Sequence, residues 1–296
     1  MREKTTLACF ISGPFRYCDL VLEQLQLEVN DHDYTIHCYI HLWSEELGLK
    51  SRNISLDISK LEGFGFVKKI IVEKPFIEGD TIEMIENEIG YFSYEEPYFI
   101  GASSINNMFG MFHAINRLYE EALSSDYKYS HILRLRTDIS FSGKFIPKKI
   151  DNKLYISENI HIESGLISDH TMLMPINFFE KIWGNKQEFI REFSGSFYNP
   201  EILLKNRISG LDIKIENKWT RYQSYFIVHE RGRRDYILDI IDTYGSELYR
   251  VKISASDKIK IFRYLYKIKI LKSIKLKLSP LYDLLIGIKV KLKRKN

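Results

Sequence analysis

The sequence predicts an α/β protein built on a mostly parallel central sheet flanked by helices. Three observations lead there. Short apolar runs with β-branched and aromatic residues recur at Leu7–Ser12, Thr35–Trp43 and Phe66–Val72, and runs of this length and content read as strands. Helically spaced apolar residues lie between and after them, at Leu20, Val21, Leu25, Leu27 and Val29, and again at Met108, Met111, Phe112, Ile115, Leu118, Tyr119 and Ala122. Strand, helix and strand in alternation describe parallel strands joined by covering helices.

Taken in order, Leu7–Ser12 is a buried strand stopped by the turn signal Gly13-Pro14. Asp19–Val29 is a helix capped by Asp19, Thr35–Trp43 a second strand and Phe66–Val72 a third. Ser103–Ser124 is the clearest helix, with Ser103 or Ser104 as its cap. Behind it comes His131–Phe141, HILRLRTDISF, a hydrophobic strand running out into two arginines and Asp138. Further extended segments follow at Lys153–Ser157, His161–Ser168 and Thr171–Met174. Ile176–Phe193 is predicted as one amphipathic helix carrying Phe178, Phe179, Ile182, Trp183, Phe189 and Ile190 on its apolar face. A short helix at Glu201–Ile208 and late strands at Ile213–Ile215 and Ser224–Val228 complete the body.

A chain of 296 residues, 45% hydrophobic and 28% charged, has the composition of a globular protein with a sizeable core. Its net charge of +4 conceals a division. Residues 257–296 hold 13 Lys and Arg against two acidic residues, and the rest of the chain holds 30 against 37. The expected organisation is therefore a domain over 1–256 and a basic amphipathic helical segment over 257–296. In that segment Lys alternates with Ile, Leu, Phe and Tyr, and Pro280 interrupts it. Such a helix suits the surface of an anionic membrane, where each Lys or Arg adds about 1 kcal/mol. Nucleic acid is the competing partner and is disfavoured, because it would leave the large aliphatic side chains exposed. Packing of the segment on the acidic body is the third reading.

The three cysteines, Cys9, Cys18 and Cys38, form no CxxC pair, which fits a reducing cytoplasm. Leu7–Ile11 is too short for a secretory leader, and no apolar stretch reaches the ~18 residues of a membrane span. The expected location is cytoplasmic, peripheral at the inner face of the cytoplasmic membrane. No GxxxxGK[ST], no strand-linked GxGxxG, no HExxH and no GxSxG is present, so a P-loop kinase, a dinucleotide dehydrogenase and an α/β-hydrolase are not expected.

The chemistry-bearing residues fall at strand ends, where α/β sheets place ligands. Ser12, Gly13 and Arg16 follow the first strand, and His41 and Trp43 end the second. Arg134 and Arg136 suit phosphate charge, and Asp138 suits a divalent cation held against a diphosphate. In a parallel sheet Arg16, His41 and Asp138 share one edge.

The runs FISGPFR, YIHLW, HILRLRTDISF and SDHTMLMP, in this order over Leu7 to Val228, resemble bacterial polysaccharide-biosynthesis glycosyltransferases of the WavE type and their O-antigen and capsule relatives. The resemblance implies a GT-A-like fold and a nucleotide-sugar donor, with Arg136 and Asp138 in the family's donor-binding element; Ser12, Gly13, Arg16 and Arg134, at the strand ends, complete the expected donor site. It also implies Mn2+ or Mg2+ at Asp138. Arg136 stands where such enzymes carry the first acidic residue of a DxD motif, which weakens the case for the cation and favours direct neutralisation of phosphate by arginine. Asp169, or His170 beside it, is the implied base for the acceptor hydroxyl. His229, before Arg231, Arg233 and Arg234, is a further candidate metal ligand. The acceptor implied is a lipid-linked or lipopolysaccharide glycan, beside which the basic segment would hold the enzyme. The alternative is a non-enzymatic nucleic-acid-binding protein acting through that segment.

Overall fold

The N-terminal apolar run forms the centre of the sheet. In the computed structural model, residues 5–15, 17–31, 34–45, 58–90, 105–141, 144–157, 167–184, 186–193, 200–216, 219 and 225–227 are described. All lie within one unit of the chain, Met1–Arg233. In chain order the elements are β1 (Thr6–Pro14), α1 (Cys18–Asp31), β2 (Thr35–Trp43), α2 (Ile58–Glu62), β3 (Val67–Glu73), α3 (Glu78–Ile89), α4 (Ile105–Leu123), β4 (His131–Arg136) and β5 (Ile139–Phe141). They continue with β6 (Leu154–Ile156), β7 (Thr171–Pro175), α5 (Phe179–Trp183), α6 (Lys186–Phe193), α7 (Pro200–Ser209), β8 (Ile215–Glu216) and β9 (Tyr225–Ile227).

The main sheet has the order β3-β2-β1-β4-β7-β6-β8, with β5 and β9 paired separately. The first four strands run parallel, β7 lies antiparallel to both β4 and β6, and β8 is parallel to β6. The expected mostly parallel sheet flanked by helices is what the described residues form.

Why these strands are nearly continuous apolar runs follows from burial on both faces. Side chains alternate with a period of two. Leu7, Cys9 and Ile11 of β1 pack with Leu133 and Leu135 of β4, Leu173 of β7, and Val21, Leu22 and Leu25 of α1. Ala8 and Phe10 pack on the opposite face with Ile132, Met172 and Met174 under α4, whose Phe109, Phe112, Ile115 and Leu118 are fully buried. Three buried thiols lie on the α1 side, and burial pushes those of Cys18 and Cys38 well above the ordinary range, so they pack as small apolar groups.

Several sequence expectations change: α1 begins at Cys18, so Asp19 lies in its first turn instead of capping it, and His131–Phe141 is two strands, β4 and β5, in different sheets. The third strand sits one residue later, at Val67–Glu73, and so carries Glu73 at its end. The helices α2 and α3 were not anticipated. The helix expected over Ile176–Phe193 is a 3-10 turn, Ile176–Phe178, followed by α5 and α6 with a break at Gly184. Gly184 has φ +68°, and a Cβ there would meet the Arg207 guanidinium at 2.5 Å. Arg207 of α7 occupies that space to donate from Nη1 to the Ile182 carbonyl at 3.1 Å, taking an end-of-helix acceptor that a continuous helix would have used itself. Most of His161–Ser168, the His229 cluster and the basic segment 257–296 lie outside the described residues. Among the described residues no helix is long and apolar enough to cross a membrane.

Candidate functional site

The face of the sheet under α4 turns polar at the carboxyl ends of its strands. The period that places Ala8 and Phe10 under α4 also places Ser12 there, and it places Arg134 and Arg136 on the same face as Ile132. Ser12 lies opposite His41 on one side and Arg136 on the other. Chain order reverses at this point: β2 and β3 lie to one side of β1, β4 and β7 to the other. Such a switch point opens a crevice at the carboxyl edge. Here it is a cleft of about 300 Å³, bounded by Ser12, Gly13, Arg134, Arg136, Asp138 and Asp169, with Trp43, Phe76 and the first two turns of α4 across from them.

Glycine is required at position 13. Its φ is +146°, and a Cβ would stand 2.7 Å from Thr137 Oγ1. That hydroxyl donates to the Pro14 carbonyl at 2.7 Å and ties the end of β1 to the turn after β4. The next residue, Asp138, is 1% exposed. Arg136 donates to both its oxygens, Nε to Oδ1 at 2.8 Å and Nη2 to Oδ2 at 3.2 Å. A hard divalent cation collects six or more oxygen ligands. Asp138 instead gives both oxygens to a guanidinium, so the residues present do not fit Mn2+ or Mg2+ at this position. Arg136 keeps part of its surface exposed and bounds the cleft.

Arg134 is 2% exposed. It donates from Nη1 to the His170 carbonyl at 2.6 Å and lies 5.5 Å over the Trp183 ring. Its Nε has no partner among the described residues. Burial lowers its pKa to about 10, against the opposing pull of Asp169, so it stays protonated at neutral pH. Burial pushes the Asp169 carboxyl up, but the charges of His170, Arg134 and Arg136 together hold it below the ordinary carboxylate range. His170 Nε2 lies 3.7 Å from Asp169 Oδ1, and its pKa is lowered by burial despite that neighbour. Asp169 bounds the cleft, whereas His170 is not among its lining residues.

Of the residues the sequence singled out, the structure gathers Ser12, Gly13, Arg134, Arg136, Asp138 and Asp169 around one cleft. His41 shares the edge but belongs to a second cluster. Arg16 and His229 lie outside the described residues. That second cluster escaped sequence reasoning. His41 Nε2 and His113 Nε2 each stand 2.9 Å from Glu73 Oε2, and Arg117 Nε stands 3.5 Å from Glu73 Oε1. Burial lowers the His41 pKa against the pull of Glu73, and the two imidazoles outweigh burial to hold Glu73 below its ordinary value. Gly110 lets α4 pass close to β2: a Cβ there would sit 3.1 Å from Trp43 Cζ2. The sequence carried a signal, a histidine beside Phe112 in an otherwise apolar stretch of helix, but no indication of its partner.

No family model and no curated protein matches the chain. Solved structures similar to it include the galactosyltransferase LgtC in complex with donor and acceptor sugar analogues, at 15% identity over 67% of this chain and 70% of that one, with a TM-score of 0.36. Another is the glycosyltransferase GlyE of Streptococcus pneumoniae TIGR4, at 11% identity over 83% of this chain and 52% of that one, with a TM-score of 0.38. A nucleoside-diphosphate-sugar pyrophosphorylase from Vibrio cholerae RC9 matches at 8% identity over 79% of this chain and 99% of that one, with a TM-score of 0.40. The chain thus spans about half the length of GlyE. Likenesses this remote assign no activity to it.

Proposed function

We propose that this protein is a glycosyltransferase that moves a sugar from a nucleotide donor to a lipid-linked or lipopolysaccharide-type glycan. The observation that carries the reading is the meeting of Arg134, Arg136 and Asp138 with Asp169 in one cleft at the switch point of the sheet. A nucleoside diphosphate leaves with new negative charge, and fixed cations in a water-poor site stabilise that charge as it develops. Arg134 supplies a buried guanidinium held in place by the His170 carbonyl and Trp183. Arg136, fixed by Asp138, supplies a second. In this arrangement Asp138 binds donor indirectly, by orienting Arg136, and no step is routed through a metal ion there.

Asp169 is the candidate base because it bounds the cleft. Neighbouring positive charge holds its carboxyl below the ordinary range, which keeps it ionised and able to take the proton of an acceptor hydroxyl. His170, neutral at pH 7, is the alternative. The division into a catalytic domain over 1–256 and a basic segment over 257–296, with that segment holding the enzyme on an anionic bilayer beside its acceptor, belongs to the same proposal. The resemblance in sequence to WavE-type, O-antigen and capsule enzymes supports the choice of acceptor class.

Calorimetric titration of the full chain with UDP-, GDP-, CMP- and dTDP-sugars tests the proposal. One nucleotide class should bind, with affinity lowered at least tenfold in Arg136→Met and Asp138→Ala, and binding should not require Mn2+. Silence across the panel from folded protein would overturn it. Salt-steep binding of DNA or RNA, lost on removal of residues after Asp257, would establish the nucleic-acid alternative.

A further inference from the structure

We propose that His41, Glu73 and His113 form a binding site for a single transition-metal ion of the zinc class, outside the arginine cleft. The three side chains come from three elements, β2, β3 and α4, and their ligand atoms all lie within 4.8 Å of one another. Two imidazole nitrogens and one carboxylate oxygen are a donor set that Zn2+ takes readily, with a fourth position left to water or another ligand. The same set is poor for Mg2+ and Ca2+, which require oxygen ligands.

The geometry is close to what coordination needs. Tetrahedral Zn2+ with bonds of about 2.0–2.1 Å spaces its ligand atoms about 3.3 Å apart. The two nitrogens each stand 2.9 Å from Glu73 Oε2, so each pair widens by a few tenths of an ångström while the nitrogens approach each other.

The surroundings hold the ligands in this pose. The His113 ring lies near-parallel to those of Trp43 and Phe109, 6.4 Å from each, and Phe76 meets it edge-on at 5.0 Å. His41 is fully buried and meets the Trp43 ring at 4.5 Å. Glu73 turns Oε2 to the imidazoles and Oε1 to Arg117, which fixes which oxygen is offered, as outer partners do at metal sites. Arg117 is itself held by Glu120 at 2.8 Å. Glu73 is 31% exposed, which leaves an approach for the ion and room for a solvent ligand. Free of metal, both imidazoles donate to the same carboxylate oxygen. Zn2+ must displace those two hydrogen bonds, so binding is weaker than at a dedicated all-thiolate site.

The site joins the outer strands of the sheet to α4 beside Trp43, which also walls the arginine cleft. Metal here therefore stiffens one wall of that cleft, whatever the cleft binds.

The test uses the full chain stripped with EDTA. Zn2+ is titrated in competition with a chromophoric chelator, and Co2+ is added separately to read its visible d–d bands. One equivalent should bind and raise the melting temperature, and Co2+ should give the intense spectrum of a four-coordinate nitrogen and oxygen site. Glu73→Gln, nearly isosteric, and His113→Ala each remove a ligand, so each should lower affinity by more than the roughly tenfold to hundredfold that losing an outer partner costs, while His131→Ala leaves it unchanged. Absence of a stoichiometric site in the wild type overturns the proposal, as does a site that survives both Glu73→Gln and His113→Ala or prefers Mg2+ to Zn2+. If His113→Ala does not fold, Glu73→Gln and the wild-type Co2+ spectrum decide the matter.

Discussion

Replacing Gly13 with alanine should destabilise the protein by about 2–6 kcal/mol, and the structure divides that cost into two parts. Backbone at φ +146° is territory that L-residues rarely adopt, and holding a non-glycine residue in such a region costs about 1–3 kcal/mol. The added methyl carbon would also stand 2.7 Å from Thr137 Oγ1, well inside contact distance, and overpacking of that kind costs about 1–3 kcal/mol. Thr137 cannot easily turn away, because its hydroxyl donates to Pro14 in the same turn. The two parts separate in a double-mutant cycle. Thr137→Ala loses a hydrogen bond worth about 1 kcal/mol but removes the atom that the new methyl would strike. In that background Gly13→Ala should cost only the backbone part, about 1–3 kcal/mol less than in the wild type. Urea unfolding at pH 7, followed by far-UV circular dichroism, measures all four proteins. A cost below about 0.5 kcal/mol for Gly13→Ala would refute the strain argument. An undiminished cost beside Thr137→Ala would refute the contact argument and leave only the backbone.

Trp183 is fully buried between Phe112 and Arg134. Trp183→Ala should cost about 3–5 kcal/mol in urea unfolding. Trp183→Phe should cost clearly less, since it keeps most of the ring and discards an Nε1 without a partner among the described residues. Acid should weaken the fold well before its carboxylates titrate. Burial lowers the pKa of His37, helped by Lys68, and lowers that of His131 despite a backbone bond at Asp151. With folded values below the unfolded ~6.5, their contribution is complete above pH 6.5 and is lost as pH falls through the folded values. The urea midpoint should therefore drop between pH 7 and pH 5, and His37→Asn should flatten that slope. If a glycosyl transfer activity is found, Asp169→Asn should lower kcat far more than it weakens donor binding, as product analysis under saturating donor would show.

Much of the scaffold was legible in the chain because local pattern and tertiary burial agree there. Strands buried on both faces must be apolar nearly throughout, so β1, β2 and β4 stand out from their composition, and the nine buried residues of α4 repeat at helical spacing. The helices α2 and α3 were missed for the opposite reason. Only Leu61 of α2 and Thr81 and Ile85 of α3 are buried, which leaves a faint apolar stripe among polar residues. The break at Gly184 was hidden because its cause, Arg207, comes from another helix.

The candidate site divides in the same way. The sequence by itself determined that polar residues end the first, second and fourth strands, since a period of two assigns each residue to a face once the strand is known. Only the tertiary structure decided what those residues do there. It buries Arg134 instead of leaving it at a surface edge, and it gives Asp138 to Arg136. It also brings Glu73 to His113 across 40 residues of chain. The physical reason is that secondary structure answers to neighbours within a few residues. Charge neutralisation, hydrogen-bond pairing and metal coordination answer to neighbours within a few ångströms, and folding alone determines which residues those are.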